Sequence, residues 1–194
     1  MKIFSVVVGE LKTNCYIVAS SQRRAFVIDP GDDAEKIRRC LDDNGLEARF
    51  IVNTHGHIDH IKADTALGLP VYIYEEDRDM VSDPAKNMMT VFYGTFEPVV
   101  PARLLRDGDG VTLDELTFSV IHTPGHTRGS MCLFGHGVLF SGDTLFRNGI
   151  GRTDYPGASA HKIEESLKRL AGLAAETIVY PGHGPQTTIG RELG

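Results

Sequence analysis

The sequence predicts a mixed α/β fold in which two sheets, each covered by helices, form a four-layer αββα sandwich. Short apolar runs alternate with helical patterns in two successive blocks along the chain. Several of the apolar runs end in histidine or aspartate beside glycine or proline. The length of 194 residues is within the ~100–200 residues of a typical domain, so we expect one domain over residues 1–194.

The first block contains four apolar runs that predict strands. They lie at residues 3–8, 15–19, 25–28 and 48–53. Between the third and the fourth, residues 34–44 have helical spacing. Asp32 or Asp33 can cap this helix, and Gly45 ends it.

The middle of the chain predicts a short helix over 59–67, a strand over 71–74 and a helical segment over 75–81. Residues 82–101 have no clear period. A long irregular segment in a compact domain is often a lid or a binding loop. The alternative is a poorly patterned helix packed on the core, and the sequence leaves both open.

The second block begins with two predicted hairpins. Their strands lie at residues 111–113 with 116–121, and at 130–134 with 138–141. Ser159 can cap a helix over 160–171. Residues 177–180 are predicted to be the last strand.

The stretch Thr54-His55-Gly56-His57-Ile58-Asp59-His60 places three histidines and an aspartate directly after a predicted strand. His55 and His57 are two positions apart, so an extended backbone directs both to the same side. Imidazole and carboxylate together suit Zn, Fe and Mn. The spacing resembles neither a zinc finger nor the helical H-E-x-x-H motif. The pattern therefore predicts a metal site of another kind.

Three further strand ends carry one metal-competent side chain each, namely His126, Asp143 and His183. Together with the first stretch they make seven candidates: His55, His57, Asp59, His60, His126, Asp143 and His183. Seven ligands exceed the need of one four-coordinate ion, but they suit two ions ~3.5–4 Å apart that share a carboxylate. Asp143 is the natural bridge, because the other six then divide three and three.

Composition excludes several functional classes. The formal net charge is −6, and no long basic run is present, which argues against nucleic-acid binding. The three cysteines are far apart and form no C-x-x-C pair, as expected in a reducing compartment. No apolar run approaches the ~20 residues of a membrane helix. We therefore expect a cytoplasmic protein; its oligomeric state stays open.

The histidine motif, followed in order by His126, Asp143 and His183, resembles the metallo-β-lactamase superfamily over the whole chain. The resemblance implies an αββα sandwich with two metals at one edge between the sheets. The implied ligands of the first metal are His55, His57 and His126, and those of the second are Asp59, His60 and His183, with Asp143 bridging. Asp29 matches a position that supports the metal site from behind. His122, close to the site in sequence, is expected to support it by a hydrogen bond.

Within the superfamily the chain is most similar to the glyoxalase II group, partly through the stretch 151–157. The resemblance implies hydrolysis of S-D-lactoylglutathione or a related acyl thioester. Asp59 and Asp143 would be the catalytic carboxylates, and a hydroxide bridging two divalent ions would be the nucleophile. Zn is the favoured metal, with Fe and Mn as alternatives. Arg147, Arg152 and Tyr155 are expected to contact an anionic substrate.

One departure concerns the thiol of the substrate. Glyoxalase II enzymes typically carry a further helical region that grips glutathione, whereas this sequence ends soon after His183. It resembles the short bacterial and archaeal members of the group. A glutathione-derived thioester is therefore one expectation, and the natural thioester stays open.

Three alternatives remain at this point. A persulfide dioxygenase of the same superfamily holds one iron through residues that match His55, His126 and Asp143. A lactonase or phosphodiesterase would use the same hydroxide on another bond. A non-catalytic metal-binding module would be expected to have lost ligands, and all seven candidates are present.

Overall fold

The computed structural model describes residues 1–89 and 96–194. A first sheet of six strands is built in chain order. Its strands are β1 (Lys2–Val8), β2 (Thr13–Ala19), β3 (Arg24–Ile28), β4 (Glu47–Asn53), β5 (Val71–Tyr74) and β6 (Arg103–Leu105). The pairs β1–β2 and β2–β3 are antiparallel, while β3 to β6 run parallel. The carboxyl ends of the parallel strands therefore meet at one edge.

The remaining strands follow in the second half of the chain. They are β7 (Gly110–Leu113), β8 (Leu116–His122), β9 (Met131–Gly135), β10 (Val138–Gly142), β11 (Leu145–Phe146), β12 (Gly149–Ile150), β13 (Ile178–Pro181) and β14 (Thr187–Thr188). Six of them form a second sheet in the order β14-β13-β10-β9-β8-β7, and β11 pairs with β12 in a small hairpin. Only β10 and β13 pair in parallel within the second sheet.

Within residues 1–89 and 96–194, five α-helices accompany the sheets. They are α1 (Ala34–Asp43), α2 (Ile58–Ile61), α3 (Asp64–Leu67), α4 (Ala160–Leu170) and α5 (Ile189–Leu193). On α1, Ile37 and Leu41 pack on the first sheet, and Leu170 of α4 packs on the second. The hydroxyl of Ser159 accepts a hydrogen bond from the Lys162 amide and so caps α4, as the sequence predicts. None of the helices in the described ranges is long and apolar enough to cross a membrane.

The main core lies between the two sheets. Alternate residues of a strand face opposite sides, so Ile17 of β2 packs under α1 while its neighbour Val18 faces the second sheet. Phe26, Phe118 and Phe140 are fully buried in the central layer. Burial of one such ring contributes about 1.5–3 kcal/mol. The predicted four-layer sandwich is therefore confirmed.

Several local predictions differ from the structure. The predicted helix over 59–67 is two single turns, α2 and α3, and the helical segment over 75–81 begins as a 3-10 turn at Glu75–Asp77. Residues 177–180 are not the last strand, because β14 and α5 follow. The short strands β6, β11, β12 and β14 were not predicted, since two or three residues carry no readable period.

The segment 82–101 is only partly described, because residues 90–95 lie outside the described ranges. Its described parts contain no α-helix or strand. Asn87 is buried and accepts the amide of Ile58 on its backbone carbonyl at 2.8 Å. Phe96 packs on a small cluster that includes Ile58 and Val81. The described parts of this segment are therefore attached to the helix that carries Asp59.

Candidate metal centre

The seven candidate ligands reach a common edge of the sandwich from four strand ends. His55, His57, Asp59 and His60 follow β4, His126 lies between β8 and β9, Asp143 follows β10, and His183 follows β13. In three overlapping groups of these residues the potential ligand atoms all lie within 4.8 Å of one another. One of these groups, His55 with His60 and Asp143, connects the other two. The fold therefore brings together all seven residues that the sequence singled out.

The first group consists of His55, His57 and His126, all of them buried. Nδ1 of His57 lies 3.1 Å from Nε2 of His55 and 2.9 Å from Nε2 of His126. Three ring nitrogens converge on one small space, where hydrogen bonds between the rings can satisfy only some of their lone pairs. The arrangement leaves nitrogen lone pairs for a cation.

The second group consists of Asp59, His60 and His183. Nε2 of His183 lies 3.2 Å from Oδ2 of Asp59 and 3.3 Å from Nε2 of His60. Asp59 also accepts a hydrogen bond from the Thr13 hydroxyl at 3.2 Å. This group therefore offers two nitrogens and one carboxylate at a second point.

Asp143 lies between the two groups. Its carboxylate oxygens are 3.5 Å from Nε2 of His126, 3.3 Å from Nε2 of His60 and 3.6 Å from Nε2 of His183. Although His60 is near, Oδ1 of Asp143 is buried without a hydrogen bond. A buried carboxylate oxygen without a donor is costly, and a divalent cation would satisfy it.

The backbone around Asp143 leaves room for such a cation. Gly182 has no side chain, and a Cβ there would overlap Oδ1 of Asp143 and lie 2.7 Å from Cε1 of His60. Nitrogen and carboxylate donors at these distances suit Zn, Fe or Mn. The residues present therefore fit divalent metal ions.

The charges of the first group agree with that use; in the second group burial opposes protonation of His60, but the neighbouring Asp59 raises its pKa above the ordinary value. Burial and the neighbouring His126 lower the pKa of His57 to about 3, and burial lowers the pKa of His55 well below its usual range. Burial opposes ionisation of Asp59 and Asp143, but the nearby His60 lowers the pKa of both carboxyls. Neutral imidazoles and ionised carboxylates are the states that bind metal.

Hydrogen bonds behind the cluster orient the rings. Nδ1 of His60 lies 3.0 Å from Oδ2 of Asp29, Nδ1 of His126 lies 2.8 Å from the Arg152 carbonyl, and Nδ1 of His183 lies 3.1 Å from the Leu11 carbonyl. In each ring a proton on Nδ1 satisfies this contact and leaves Nε2 free to face the cluster. Asp29 thus lies behind the site, at the place that the resemblance implies.

A cleft of about 320 Å³ opens over the cluster. Arg152 and Tyr155 line it, together with the apolar side chains of Leu11, Phe146 and Ile150. Nη1 of Arg152 donates to the Tyr155 hydroxyl at 2.8 Å, and the Tyr155 ring lies 5.5 Å from that of His57. A second cleft of about 430 Å³ shares Leu11 and Asp59 with the first, so two grooves meet at the cluster.

Two of the predicted residues are not among the described residues that line the cleft over the cluster. Arg147 is exposed and is not among the described residues that line the cleft over the cluster. The ring of His122 stacks on Tyr74 with centroids 4.1 Å apart, and its Nε2 bonds to the Arg128 carbonyl. His122 ends β8, and this hydrogen bond joins its ring to the loop that carries His126. Arg147 therefore lacks the contact with the cleft that was expected of it, whereas the supporting role of His122 stays a prediction.

Asp77 is a residue beside the site that the sequence analysis missed. It is 1% exposed, and it hydrogen-bonds the loop of His55 and His57 as well as the loop of His126. Burial raises the pKa of Asp77, while donors from Thr127, Gly129 and Gly56 oppose that rise. The sequence offers no local signal for this role, because the partners lie between 21 and 52 positions away.

Comparison with known proteins identifies the family. The family model described as the metallo-beta-lactamase superfamily matches residues 8–183. The chain belongs to the metallo-beta-lactamase superfamily. The resemblance inferred from the histidine motif is therefore confirmed, and this superfamily consists generally of hydrolytic enzymes that bind divalent metals.

Solved structures of the superfamily share the fold closely. The BLEG-1 B3 metallo-beta-lactamase aligns with a TM-score of 0.89 at 36% identity, covering 98% of this chain and 95% of that chain. TTHA1623 in a di-iron-bound form aligns with a TM-score of 0.85 at 38% identity, covering 97% and 96%. ETHE1 from Myxococcus xanthus aligns with a TM-score of 0.80 at 30% identity, covering 98% and 80%.

Among curated metallo-beta-lactamase superfamily relatives, the hydroxyacylglutathione hydrolase GloC of Haemophilus influenzae is 31% identical over 201 residues. The alignment covers 99% of this chain and 95% of that protein. The likeness to a glyoxalase II-type enzyme therefore extends over nearly the full length of both chains.

Proposed function

We propose that the protein is a binuclear metallohydrolase that cleaves S-D-lactoylglutathione or a related acyl thioester. The observation that carries the proposal is the position of Asp143, whose carboxylate lies between two groups that can each hold one ion. The likeness to a hydroxyacylglutathione hydrolase over nearly the whole chain supports the choice of thioester.

In this proposal His55, His57 and His126 would hold the first ion, Asp59, His60 and His183 would hold the second, and Asp143 would be shared by both. Zn is favoured, with Fe and Mn as alternatives. When bound, such ions supply a nucleophile at neutral pH by lowering the pKa of water from 15.7 towards ~7, and they polarise a carbonyl.

The side chains around the ions have separate tasks. Asp59, held by the Thr13 hydroxyl, orients the attacking water through its carboxylate. Water adds to the carbonyl carbon, the carbon–sulfur bond breaks, and the products are a carboxylic acid and a thiol. A thiolate is a good leaving group, so the proposal requires no dedicated acid.

The cleft over the cluster binds the part of the substrate that carries a carboxylate. Arg152 is stacked over the Tyr155 ring, 4.4 Å from its centroid, and the pair lies beside the first group of histidines. A guanidinium there can bind a carboxylate of the substrate. The proposal therefore assigns substrate binding to Arg152 and Tyr155 and not to Arg147.

The experiment combines elemental analysis with a hydrolysis assay on the purified protein. We expect two divalent ions per chain and release of glutathione from S-D-lactoylglutathione, restored by Zn, Fe or Mn after chelation. A panel of acyl thioesters, lactones and phosphodiesters identifies the bond that is cleaved. Two bound ions without hydrolysis of any of these compounds would contradict the proposal and favour a non-catalytic metal-binding module.

The second candidate is a mononuclear iron persulfide dioxygenase. It is favoured by the alignment with ETHE1 and by the presence of His55, His126 and Asp143 in one cluster. An oxygen electrode with glutathione persulfide separates the two functions. One iron per chain with oxygen uptake and no thioester hydrolysis would replace the first proposal by this one.

A further inference from the structure

We infer that Asp77 is a positioning residue that fixes the first metal group by tying its two loops together. This inference rests on the proposed binuclear centre, and it concerns only how the first ion is held. Asp77 is not a ligand in that proposal. Its carboxylate instead contacts the backbone and side chains next to the ligands.

The contacts of Asp77 connect segments that are distant in sequence. Oδ2 accepts hydrogen bonds from the Gly56 amide at 3.1 Å and from the Thr127 hydroxyl at 2.6 Å, and Oδ1 accepts one from the Gly129 amide at 2.7 Å. Gly56 separates His55 from His57, and Thr127 follows His126. One buried carboxylate therefore holds both loops of the first group.

The packing around these contacts allows little adjustment. A Cβ on Gly56 would overlap the side chain of Met80, and a Cβ on Gly129 would lie 2.6 Å from the Asp77 amide nitrogen. The turn that begins at Glu75–Asp77 therefore lies against the bare backbone of both loops. A displaced Asp77 would move the loops and not merely a flexible side chain.

A second connection between the loops lies farther from the ligands. The Met131 amide donates to the Thr54 carbonyl at 2.9 Å, at the start of β9. That bond joins the loops at one point. Asp77 adds a second point of attachment directly beside His57 and His126, whose nitrogens lie 2.9 Å apart. Metal affinity depends on ligand placement to within about 0.5 Å. This attachment therefore controls the affinity of the first group for its ion.

The test uses Asp77→Asn, which keeps the shape but puts an amide NH₂ group where an oxygen accepts hydrogen bonds. Asp79→Asn is the matched control, since Asp79 follows in the same region but is exposed and pairs with Arg78 and Lys86. Titrations with Zn²⁺ against a chromophoric chelator give the two dissociation constants. We expect Asp77→Asn to weaken one of them about 10–100-fold, as is typical of residues that orient ligands. The second Zn²⁺ dissociation constant, and the midpoint of thermal unfolding of the metal-free protein, should match the values for Asp79→Asn.

A second pair of variants tests the same attachment from the other loop. Thr127→Ser keeps the hydroxyl that donates to Asp77, while Thr127→Val removes it. We expect the serine variant to bind Zn²⁺ like wild type and the valine variant to lose affinity for the same ion. Both substitutions remove the same hydrogen bond, from the Thr127 hydroxyl to Asp77. The double variant Asp77→Asn/Thr127→Val should therefore lose less Zn²⁺ affinity than the sum of the two single losses. The Co²⁺ absorption spectrum should change for one site only.

Two results would overturn the inference. The first is an Asp77→Asn protein that binds both ions as Asp79→Asn does. The second is an equal loss of both ions together with a lower thermal midpoint, which would show a general structural role. If Asp77→Asn does not fold, the comparison of Thr127→Ser with Thr127→Val decides. Because the readout is Zn²⁺ alone, failure to hydrolyse thioesters does not affect this result, whereas a wild type that binds fewer than two ions overturns both proposals.

Discussion

Among the described residues, Asp143 is the carboxylate that lies near both groups of the candidate metal centre. Its carboxylate lies within 3.6 Å of His60, His126 and His183, which belong to different groups. No other carboxylate in the described ranges lies within 3.6 Å of histidine nitrogens from both groups. The bridging assignment is therefore the one that a single substitution tests best.

For Asp143→Ala we expect loss of metal binding and of turnover together. Removing the carboxylate takes one ligand from each ion and leaves buried imidazoles without their counter-charge. Elemental analysis by plasma emission spectroscopy measures metal content, and the thioester assay measures turnover. Asp43→Ala, at the exposed end of α1, is the control. A mutant that keeps both metals and full activity would show that the assignment is wrong.

Asn53 and Asp64 form a second buried polar contact whose role is structural. The amide of Asn53 donates to Oδ2 of Asp64 at 2.6 Å, yet Oδ1 of each residue has no hydrogen-bond partner among the described residues. Burial raises the pKa of Asp64 well above its ordinary value of 3.8, and Asp29 raises it further. A folded-state pKa above the unfolded value means that folding favours the protonated carboxyl.

This linkage predicts how stability changes with pH. The stability that Asp64 contributes is complete below about pH 4 and is lost as the pH rises towards its raised folded-state pKa. Asp64→Asn removes this dependence and supplies an NH₂ donor for Asn53. We expect the variant to be more stable than wild type at pH 7 by about 1–3 kcal/mol, with the difference shrinking towards pH 4.

Urea unfolding of the metal-free proteins between pH 4 and 8 measures this difference. Asp64→Ala is the control, since it removes the carboxyl but leaves Asn53 without a partner. If Asp64→Asn and wild type keep a constant difference across this range, Asp64 does not titrate as inferred.

At the scale of elements, the site depends on how each strand ends. The end of β13 is held by β2, because the Pro181 carbonyl accepts the Tyr16 hydroxyl at 2.7 Å and the Gly182 carbonyl accepts the Asn14 amide at 2.7 Å. Gly182, which has no side chain, then lies directly against Asp143. The next residue, His183, reaches the cluster. The bare backbone at this position is what lets His183 approach.

Gly182→Ala should therefore disturb the second metal group. The added methyl group would overlap Oδ1 of Asp143, so we expect weaker binding of the second ion and a large loss of turnover. Gly149→Ala is the matched control, because a Cβ there meets no atom within 4 Å. Zn²⁺ titration and kcat measurement check the outcome. Equal Zn²⁺ affinity and activity in the two variants would contradict the argument.

At the scale of the whole molecule, the ligands connect the two sheets. His55, His57, Asp59 and His60 follow a strand of the first sheet, whereas His126, Asp143 and His183 follow strands of the second. Ions bound between them would link the layers in the folded state only. Ligands that bind only the folded state raise the free energy of unfolding by mass action.

We therefore expect chelation to lower the thermal midpoint of unfolding. Free Zn²⁺ at 100 times its dissociation constant should add about 2.7 kcal/mol per site to the free energy of unfolding. Calorimetry over a series of Zn²⁺ concentrations measures the shift, and Asp143→Ala should show none. A wild-type midpoint that is independent of Zn²⁺ would exclude the proposed link between the sheets.

Features carried by neighbouring residues were predictable from the sequence. The strands from β1 to β5 and the helices α1 and α4 were predicted to within about two residues because apolar periodicity and caps are local signals. The seven candidate ligands were identified for a similar reason, since each follows an apolar run. The short strands β6 and β14 carry too few residues for such a signal.

The sequence by itself determined the fold class, the superfamily and the set of candidate metal ligands. The tertiary structure added the distances that place Asp143 between the two groups, and it alone showed that Asp77 bonds both loops of the first group and that His122 stacks on Tyr74. These relations join segments as far apart as Asp59 and His183. Apolar periodicity and metal-ligand chemistry act along the chain, whereas the direction of a side chain and its partners across the sheets are set by packing, which no local pattern encodes.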